Sequence, residues 1–500
     1  MSDRPAAVRG ISLRELLPEA AFVGADDISV RSCSSDSRRC QPGDLFAALP
    51  GYDQNGHNFV GEARLRGAVA VLASQPLLAC DLPVCIVPDS REAFGRVCQA
   101  LAGQPGEQLK LIGITGTNGK TTSSYLTASV LVAGGYPTAV MGTLGCFDGI
   151  EKEPSPLTTP TAPVLATWLA NSLANGCTHA VMEVSSHALC QSRVAGLNFD
   201  VACVTNVRHD HLDYHGDRSA YLAAKARLFS HLLPEGMAIV NRDDPGAASL
   251  LHEFDGLSLT VGLDAPAEVT ATVLERSISE QTFLLSAHHE TVPVRTSLIG
   301  NHNVYNCLIA AAVGQSYGLS LATIARGLER IRRIPGRLER VDCGQPFGVF
   351  VDYAHTPDAL QEVLATLRQV TRGRLICVFG AGGDRDQLKR PWMGRAVENG
   401  ADLAVITSDN PRSEDPQEII GDVLTGFRNR SAASPIVDRA EAINLALAEA
   451  RDGDCVLIAG KGHEQHQIIG DQCLEFDDYE FAQQALYEGV NQRKQYRASA

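Results

Sequence analysis

"LIGITGTNGKTTSS", Leu111–Ser124, sets an apolar run against a loop of glycines, a lysine and paired threonines. The run Leu111–Thr115 reads as a buried strand. Gly116 and Gly119 then permit tight turning, and Thr121-Thr122 open a helix whose N-terminal amides attract phosphate oxygens. In this reading Gly116, Thr117, Asn118, Gly119, Lys120, Thr121 and Thr122 cradle a nucleotide's phosphates, with Lys120 set against β/γ-phosphate charge and the Thr121 hydroxyl on Mg²⁺. The common phosphate loop has a glycine where this chain has Ile114. An ordinary strand-turn-helix with a surface lysine is the competing reading. Gly, Gly, Lys and Thr all falling where phosphate binding needs them argues for the nucleotide.

Outward from the loop, "HAVMEVSS", "DVACVTNV" and "GMAIVN" read as further strands of a parallel sheet flanked by helices. A second set of strand-then-helix units begins near Leu338 with "GVFVDYAHTPDALQEVLATL", "LICVFGAGGD", "ADLAVITSDNPR" and "CVLIAGKGHE". Ligands gather at the carboxyl ends of such strands, so these loops should face one site. Residues before "AGQPGEQ" mix short apolar runs with turns and suggest a small α/β domain. The chain is thus expected to be α/β throughout, with domains at 1–109, 110–337 and 338–500. No repeat or low-complexity tract interrupts it, and "HHE" and the terminal "NQRKQYRASA" read as solvated surface.

Composition narrows the function. The 500 residues, 44% of them hydrophobic, can bury sizeable cores, and a net charge of -15 argues against general affinity for nucleic acid or anionic membrane. The fourteen cysteines contain no Cys-x-x-Cys pair and read as buried free thiols of a reducing cytosol. Neither "MSDRPAAVRGISLREL" nor any later run suggests a signal or a membrane span, so a cytoplasmic protein is expected.

Other candidate residues carry bland alternatives. Glu183 ends a strand and suits a hard cation, yet a lone strand-end Glu is usually just solvated. "NVRHDHLDYHG" gathers His209, His211, Asp213 and His215, but it follows a strand and reads as a loop rather than a helical zinc site. Lys225 in "YLAAKARLF" is an ordinary helix lysine by pattern. "VFGAGGDRD" breaks the dinucleotide fingerprint at Arg385.

Taken together, these motifs bring a family into view. "TGTNGKTT" resembles the ATP loop of the Mur ligase family, which builds the peptide stem of bacterial peptidoglycan, and the glycine spacing is that family's form. The resemblance runs through all three segments in order. It implies a three-domain architecture with a central P-loop-type parallel sheet and a Rossmann-like C-terminal domain. It further implies that Glu183 and His211 help hold two Mg²⁺ ions, and that Lys225 is carbamylated by CO₂, turning a cation into an oxygen-donating anion. Desolvation, which keeps an amine neutral, would favour that modification. "IGNHNVYNCLIAAA" resembles an asparagine segment placed before a helix, making Asn303 an adenine contact, although His302 stands where Phe is expected. Arg337 and Asp352, in "PGRLER" and "VDYAHTP", would reach the ATP phosphates and ribose. The UDP-sugar-peptide contacts implied are Ser35, Ser37, Tyr52, Asp53, Gln54, Thr158, Thr159, Ser185, Gln191 and Arg193, with Leu157 replacing the family's asparagine.

Within the family, "SDNPR" resembles the signature of members that add meso-diaminopimelate to UDP-MurNAc-L-Ala-D-Glu. The reaction implied activates the D-Glu side-chain carboxylate as an acyl phosphate with ATP, and the diaminopimelate amine displaces the phosphate. Diaminopimelate has a carboxylate that lysine lacks, and the planar guanidinium of Arg412 suits it. Pro411 stiffens the loop, Asp409 and Asn410 can take the amino group, and Arg385, Gly460 and Glu464 complete the pocket by resemblance. A monomer acting on three small molecules is expected. The alternatives are an L-lysine-adding or other sister ligase and, more distantly, a P-loop motor or switch. Folylpolyglutamate synthases share the loop, but the N-terminal segment argues against them.

Overall fold

The computed structural model describes residues 10–51, 54–77, 80–208 and 210–498. Tyr52, Asp53 and His209 lie outside the described residues, as does the side chain of Asp213. Two compact units account for the chain, one extending to Ser124 and including Gly135–Leu259, the other comprising Tyr125–Gly134 and everything from Thr260 on.

Besides the two-stranded pair of Ile11–Ser12 with Ser29–Val30, the first unit holds two larger sheets. The smaller runs in the order Ala21–Val23, Val84–Ile86, Ala70–Ala73, Leu45–Ala48, Cys33–Ser34, parallel except for its first pair. Its strands Leu45–Ala48 and Ala70–Ala73 are apolar and buried on both sides, and Leu13, Val97 and Phe94 close one face. In the larger sheet the strand Lys110–Thr115 lies between His179–Glu183 and Phe199–Val204, and all three run parallel. Register pairs Glu183 with Ile114. The last residues of both strands therefore emerge side by side, next to the glycine loop. Gly116 is required by crowding: a Cβ there would stand 1.9 Å from the Thr205 hydroxyl.

The second unit contains a meander of antiparallel strands, Val269–Arg276, Gln281–Ala287 and Glu290–Thr296, which the sequence reading did not anticipate. "HHE" is the exposed tip of its second hairpin. A six-stranded sheet follows in the order Glu339–Arg340, Gly348–Asp352, Cys455–Ala459, Leu375–Phe379, Leu403–Ile406, Ala433–Pro435, parallel after the first pair. Parallel direction brings Asp352, Gly380–Arg385, Ser408–Arg412 and Gly460–Glu464 to one edge, as expected for this topology.

Three local expectations need correcting. Asn303 does not precede its helix but lies inside it, because Asn301–Ser316 starts straight after Gly300, which has φ 98°. Gln281 serves as the stop, accepting from the Gly300 amide and donating to its carbonyl. The histidine segment is not wholly loop, since Leu212–His215 forms one helical turn. Cys473 is exposed rather than buried.

Candidate nucleotide and ligation site

The loop is held open from beneath. Asn206 accepts from the Thr117 and Asn118 amides through its carbonyl and side-chain oxygens, and Thr205 donates to the Asn118 carbonyl at 2.6 Å. Lys120 folds back over this arch, donating to the carbonyls of Gly116 and Thr117 at 2.9 Å. Its ammonium is thereby fixed at the mouth of the loop, where phosphate would lie.

Glu183 is fully buried. It accepts from the Thr121 hydroxyl at 3.0 Å, the Thr143 hydroxyl at 3.1 Å and the Thr143 amide at 2.8 Å. These donors are neutral, and among the described residues no ion pair reaches it. A buried carboxylate beside a threonine hydroxyl is an oxygen donor set that fits a hard cation. Gly142 makes the room, since a Cβ there would meet Glu183 Oε1 at 2.0 Å.

Lys225 lies on the helix Arg218–Ala226 with 1% of its surface exposed. Burial, reinforced by the positive charge of Lys120, pushes its amine well below the usual lysine value, against a weaker pull from Asp210. The Nζ sits 4.4 Å from the Tyr221 ring centroid, and the Tyr221 hydroxyl is 3.1 Å from that of Thr117. The modified-lysine candidate is thus joined to the phosphate loop through Tyr221. His211, in the left-handed region at φ 53°, stands with its ring 6.5 Å from Tyr221 and 4.8 Å from His187. His215 Nε2 lies 3.0 Å from the Ser186 hydroxyl.

The acceptor candidates of the central segment converge beside Glu183. Thr159 donates to the Glu183 carbonyl at 2.8 Å and accepts from the Ser185 amide, while Thr158 lies 3.2 Å from Thr143. Arg193 donates to the Thr159 carbonyl at 2.6 Å and grips the Gln191 side-chain oxygen with two nitrogens. At the N-terminal sheet, Ser37 is buried and donates to Glu62, whereas Ser35 and Gln54 are exposed.

In the second unit, Asp352 accepts from the Leu338 and Ala354 amides at 2.6 and 2.8 Å. Burial raises its carboxyl, opposed by Arg337, whose guanidinium lies over the Tyr353 ring at 4.8 Å. Asn303 is buried and donates to the Ile299 carbonyl. Asn410 donates to Glu464 at 2.7 Å, and a Cβ on Gly460 would meet Asp409 Oδ2 at 2.5 Å. Asp409, Asn410, Gly460 and Glu464 therefore form one cluster. Arg412 does not pair with Glu414 or Asp415. Glu414 is taken by the buried Arg390, and Arg412 instead donates to the Gly383 carbonyl at 2.6 Å, on the loop that carries the exposed Arg385.

Sequence reasoning missed Thr143, Tyr221, His187, Tyr353 and Arg439. The guanidinium of Arg439 is fully buried, paired with Asp478 at 2.6 Å and donating to the carbonyls of Ser408 and Ala459, so it ties two strand ends of the amino-acid cluster together. Tyr221 could have been found, four residues before Lys225 on the same helix face. The others carry no local signal.

A phosphate-gripping loop, a buried carboxylate beside it and a separate ligand cluster at strand ends define a nucleotide-dependent ligase. Family comparison agrees: the Mur ligase family catalytic domain matches residues 29–100, the Mur ligase middle domain 114–314 and the glutamate ligase domain 336–462. The chain belongs to the Mur ligase family and is an ATP-dependent ligase. It is 44% identical over 461 residues to the UDP-N-acetylmuramoyl-L-alanyl-D-glutamate--2,6-diaminopimelate ligase of Geobacillus thermodenitrificans, covering 91% of this chain and 94% of the relative. The enzyme of the same name from Solibacter usitatus is 44% identical over 478 residues, covering 95% and 96%. A solved structure of a UDP-N-acetylmuramoyl-L-alanyl-D-glutamate--2,6-diaminopimelate ligase superposes with TM-score 0.69 at 34% identity, covering 96% of this chain and 99% of that one. The MurF ligase of Thermotoga maritima in complex with ADP shares the fold at TM-score 0.62 and 18% identity, covering 93% and 99%.

Proposed function

We propose that this ligase joins meso-diaminopimelate to the D-Glu side-chain carboxylate of UDP-MurNAc-L-Ala-D-Glu. The observation that carries the choice of amino acid is Arg412, whose guanidinium donates to the Gly383 carbonyl and which follows Asn410, itself bonded to Glu464, by two residues. Its planar fork suits the carboxylate that distinguishes diaminopimelate from lysine. The name borne by the 44%-identical relatives, a 2,6-diaminopimelate ligase, supports the same substrate.

In the proposed reaction a D-Glu carboxylate oxygen attacks the γ-phosphorus and ADP leaves. The amine then attacks the acyl phosphate carbonyl, phosphate departs, and the nitrogen loses a proton. Lys120 offsets the charge that gathers on the transferring phosphoryl group. Arg193, Gln191, Ser185, Thr158 and Thr159 hold the acceptor peptide, and Ser35, Ser37 and Gln54 the uridine nucleotide. Asn303, Arg337 and Asp352 take adenine, phosphate and ribose. Arg385, Pro411 and Gly460 complete the amino-acid pocket. Thr121, Glu183, His211 and carbamylated Lys225 would hold two Mg²⁺ ions, which when bound neutralise the repulsion between carboxylate and triphosphate. The carbamate forms as the neutral Lys225 nitrogen adds to the carbon of CO₂ and gives up a proton to solvent.

Domains at 1–109, 110–337 and 338–500, a monomeric state and a cytoplasmic setting belong to the same proposal. Free thiols support the setting. Among the described residues no helix is long and apolar enough to cross a membrane.

Ligation assayed with a panel of amino acids tests the reading. Diaminopimelate should be incorporated far faster than L-lysine, and a preference for lysine would overturn it. A mass increase of one CO₂ on Lys225 in bicarbonate is expected; active enzyme with unmodified Lys225 would exclude the carbamate.

A further inference from the structure

The residues proposed to hold the amino acid are shaped by a hairpin, His466–Ile469 paired with Gln472–Glu475. Four hydrogen bonds link its first strand and turn to the "SDNPR" loop. The Gln467 side chain, 8% exposed, donates through Nε2 to the Asp409 carbonyl at 2.8 Å. The Ile468 amide donates to Asn410 Oδ1 at 2.9 Å, which turns the Asn410 amide nitrogen toward Glu464. Arg412 donates its amide to the Ile468 carbonyl at 3.0 Å and accepts from the Gly470 amide at 2.6 Å. That clasp holds Arg412 at φ 52°, a left-handed conformation that a non-glycine residue adopts at a cost and keeps only when its surroundings impose it.

We propose that Gln467 is a positioning residue for amino-acid selection: it docks the hairpin strand onto the Asp409 carbonyl, and the docked strand fixes the direction of the Asn410 amide and the Arg412 guanidinium. The inference rests on the amino-acid pocket proposed above. Gln467 itself needs no contact with substrate. Without its bond the Asp409 carbonyl is left buried and unsatisfied, and the strand that sets Arg412 can draw away.

Two variants of near-equal volume separate positioning from packing. Gln467→Met removes the donor. Gln467→Glu, closer in shape to glutamine, puts a carboxylate oxygen against the carbonyl. The Michaelis constant for diaminopimelate should rise about tenfold in Q467M and further in Q467E, with the constants for ATP and nucleotide-dipeptide held near those of the parent and both variants still unfolding cooperatively. Discrimination against lysine should narrow in the same order. Q467M weaker than Q467E, an equal rise in all three constants, or no change would each overturn the proposal. Parent enzyme that prefers another amino acid would sink the substrate reading instead, and the same pair measured with that amino acid still tests Gln467.

Discussion

Thr121 donates its hydroxyl to Oε2 of Glu183 at 3.0 Å, joining the first turn of the phosphate-loop helix to the end of the neighbouring strand. The two residues are far apart in sequence but are brought together by the parallel pairing of Ile114 with Glu183. The catalytic proposal inherits its precision from this register, because a one-residue slip would turn Glu183 to the other face of the sheet.

Gly142→Ala tests that register's surroundings. The added methyl would meet Glu183 Oε1 at 2.0 Å, so the carboxylate must leave the Thr121 hydroxyl or the strand must shift. Ligation should fall by roughly two orders of magnitude or more. Thermal unfolding measured alongside should show destabilisation of about 1–3 kcal/mol. Full activity in a folded G142A protein would remove Glu183 from the site.

Lys120→Ala should lower turnover by about two to three orders of magnitude with the fold intact, since a phosphate-facing charge is lost. The structure adds a second readout. Lys120 helps to hold the Lys225 amine low, so in K120A that amine should titrate at higher pH than in the parent. Isotope-labelled CO₂ uptake followed against pH would show the shift; an unmoved profile would uncouple the two lysines.

Much of this site was legible in sequence because the chemistry is local. Leu111–Thr122 carries strand, turn, charge and hydroxyl in consecutive residues, whereas the crowding by Thr205 that requires Gly116 comes only with the fold. Lys225 could not be told from any helix lysine, because its meaning comes from 1% exposure and from Lys120 and Tyr221, which only the folded chain brings near. From sequence Arg412 could equally be a surface partner of Glu414 or Asp415; in the fold Arg390 already occupies the Glu414 carboxylate. The strands between 269 and 296 carry the period-two alternation of half-buried strands, clearest in Gln281–Ala287, and lack the continuous apolar runs that mark the parallel strands.

Arg412→Ala should cut diaminopimelate kcat/KM by roughly two or more orders of magnitude, the loss of a desolvated charge-assisted pair being worth about 2–5 kcal/mol. Lysine should be affected far less. Parallel kinetics with both amino acids decide it, and an equal proportional loss would defeat the clamp.

Glu464 gives a pH signature. Burial, with Asp409 adding to it, raises its carboxyl above the ordinary glutamate value. It therefore takes up a proton at a pH where a free glutamate is still charged, and the acid form cannot hold an ammonium by charge. The Michaelis constant for diaminopimelate should rise as pH falls through that raised value, and Glu464→Gln should flatten the dependence. For stability the sign is opposite. A raised folded-state pKa contributes stability that is full below the unfolded value and is lost as pH rises through the folded one. Denaturant midpoints compared across that window in parent and E464Q would reveal the contribution.

The order of the six-stranded sheet sets a timetable for synthesis. Cys455–Ala459 lies between Gly348–Asp352 and Leu375–Phe379, yet leaves the ribosome long after both. Until it arrives those two strands have no common neighbour, and each exposes an apolar edge that can pair with another chain. A nascent chain stopped before Cys455 should hold a folded phosphate loop and an unfinished C-terminal sheet. Premature truncation is thus expected to yield aggregation rather than a slow enzyme, and chaperone contact should be sought on chains arrested between Phe379 and Cys455.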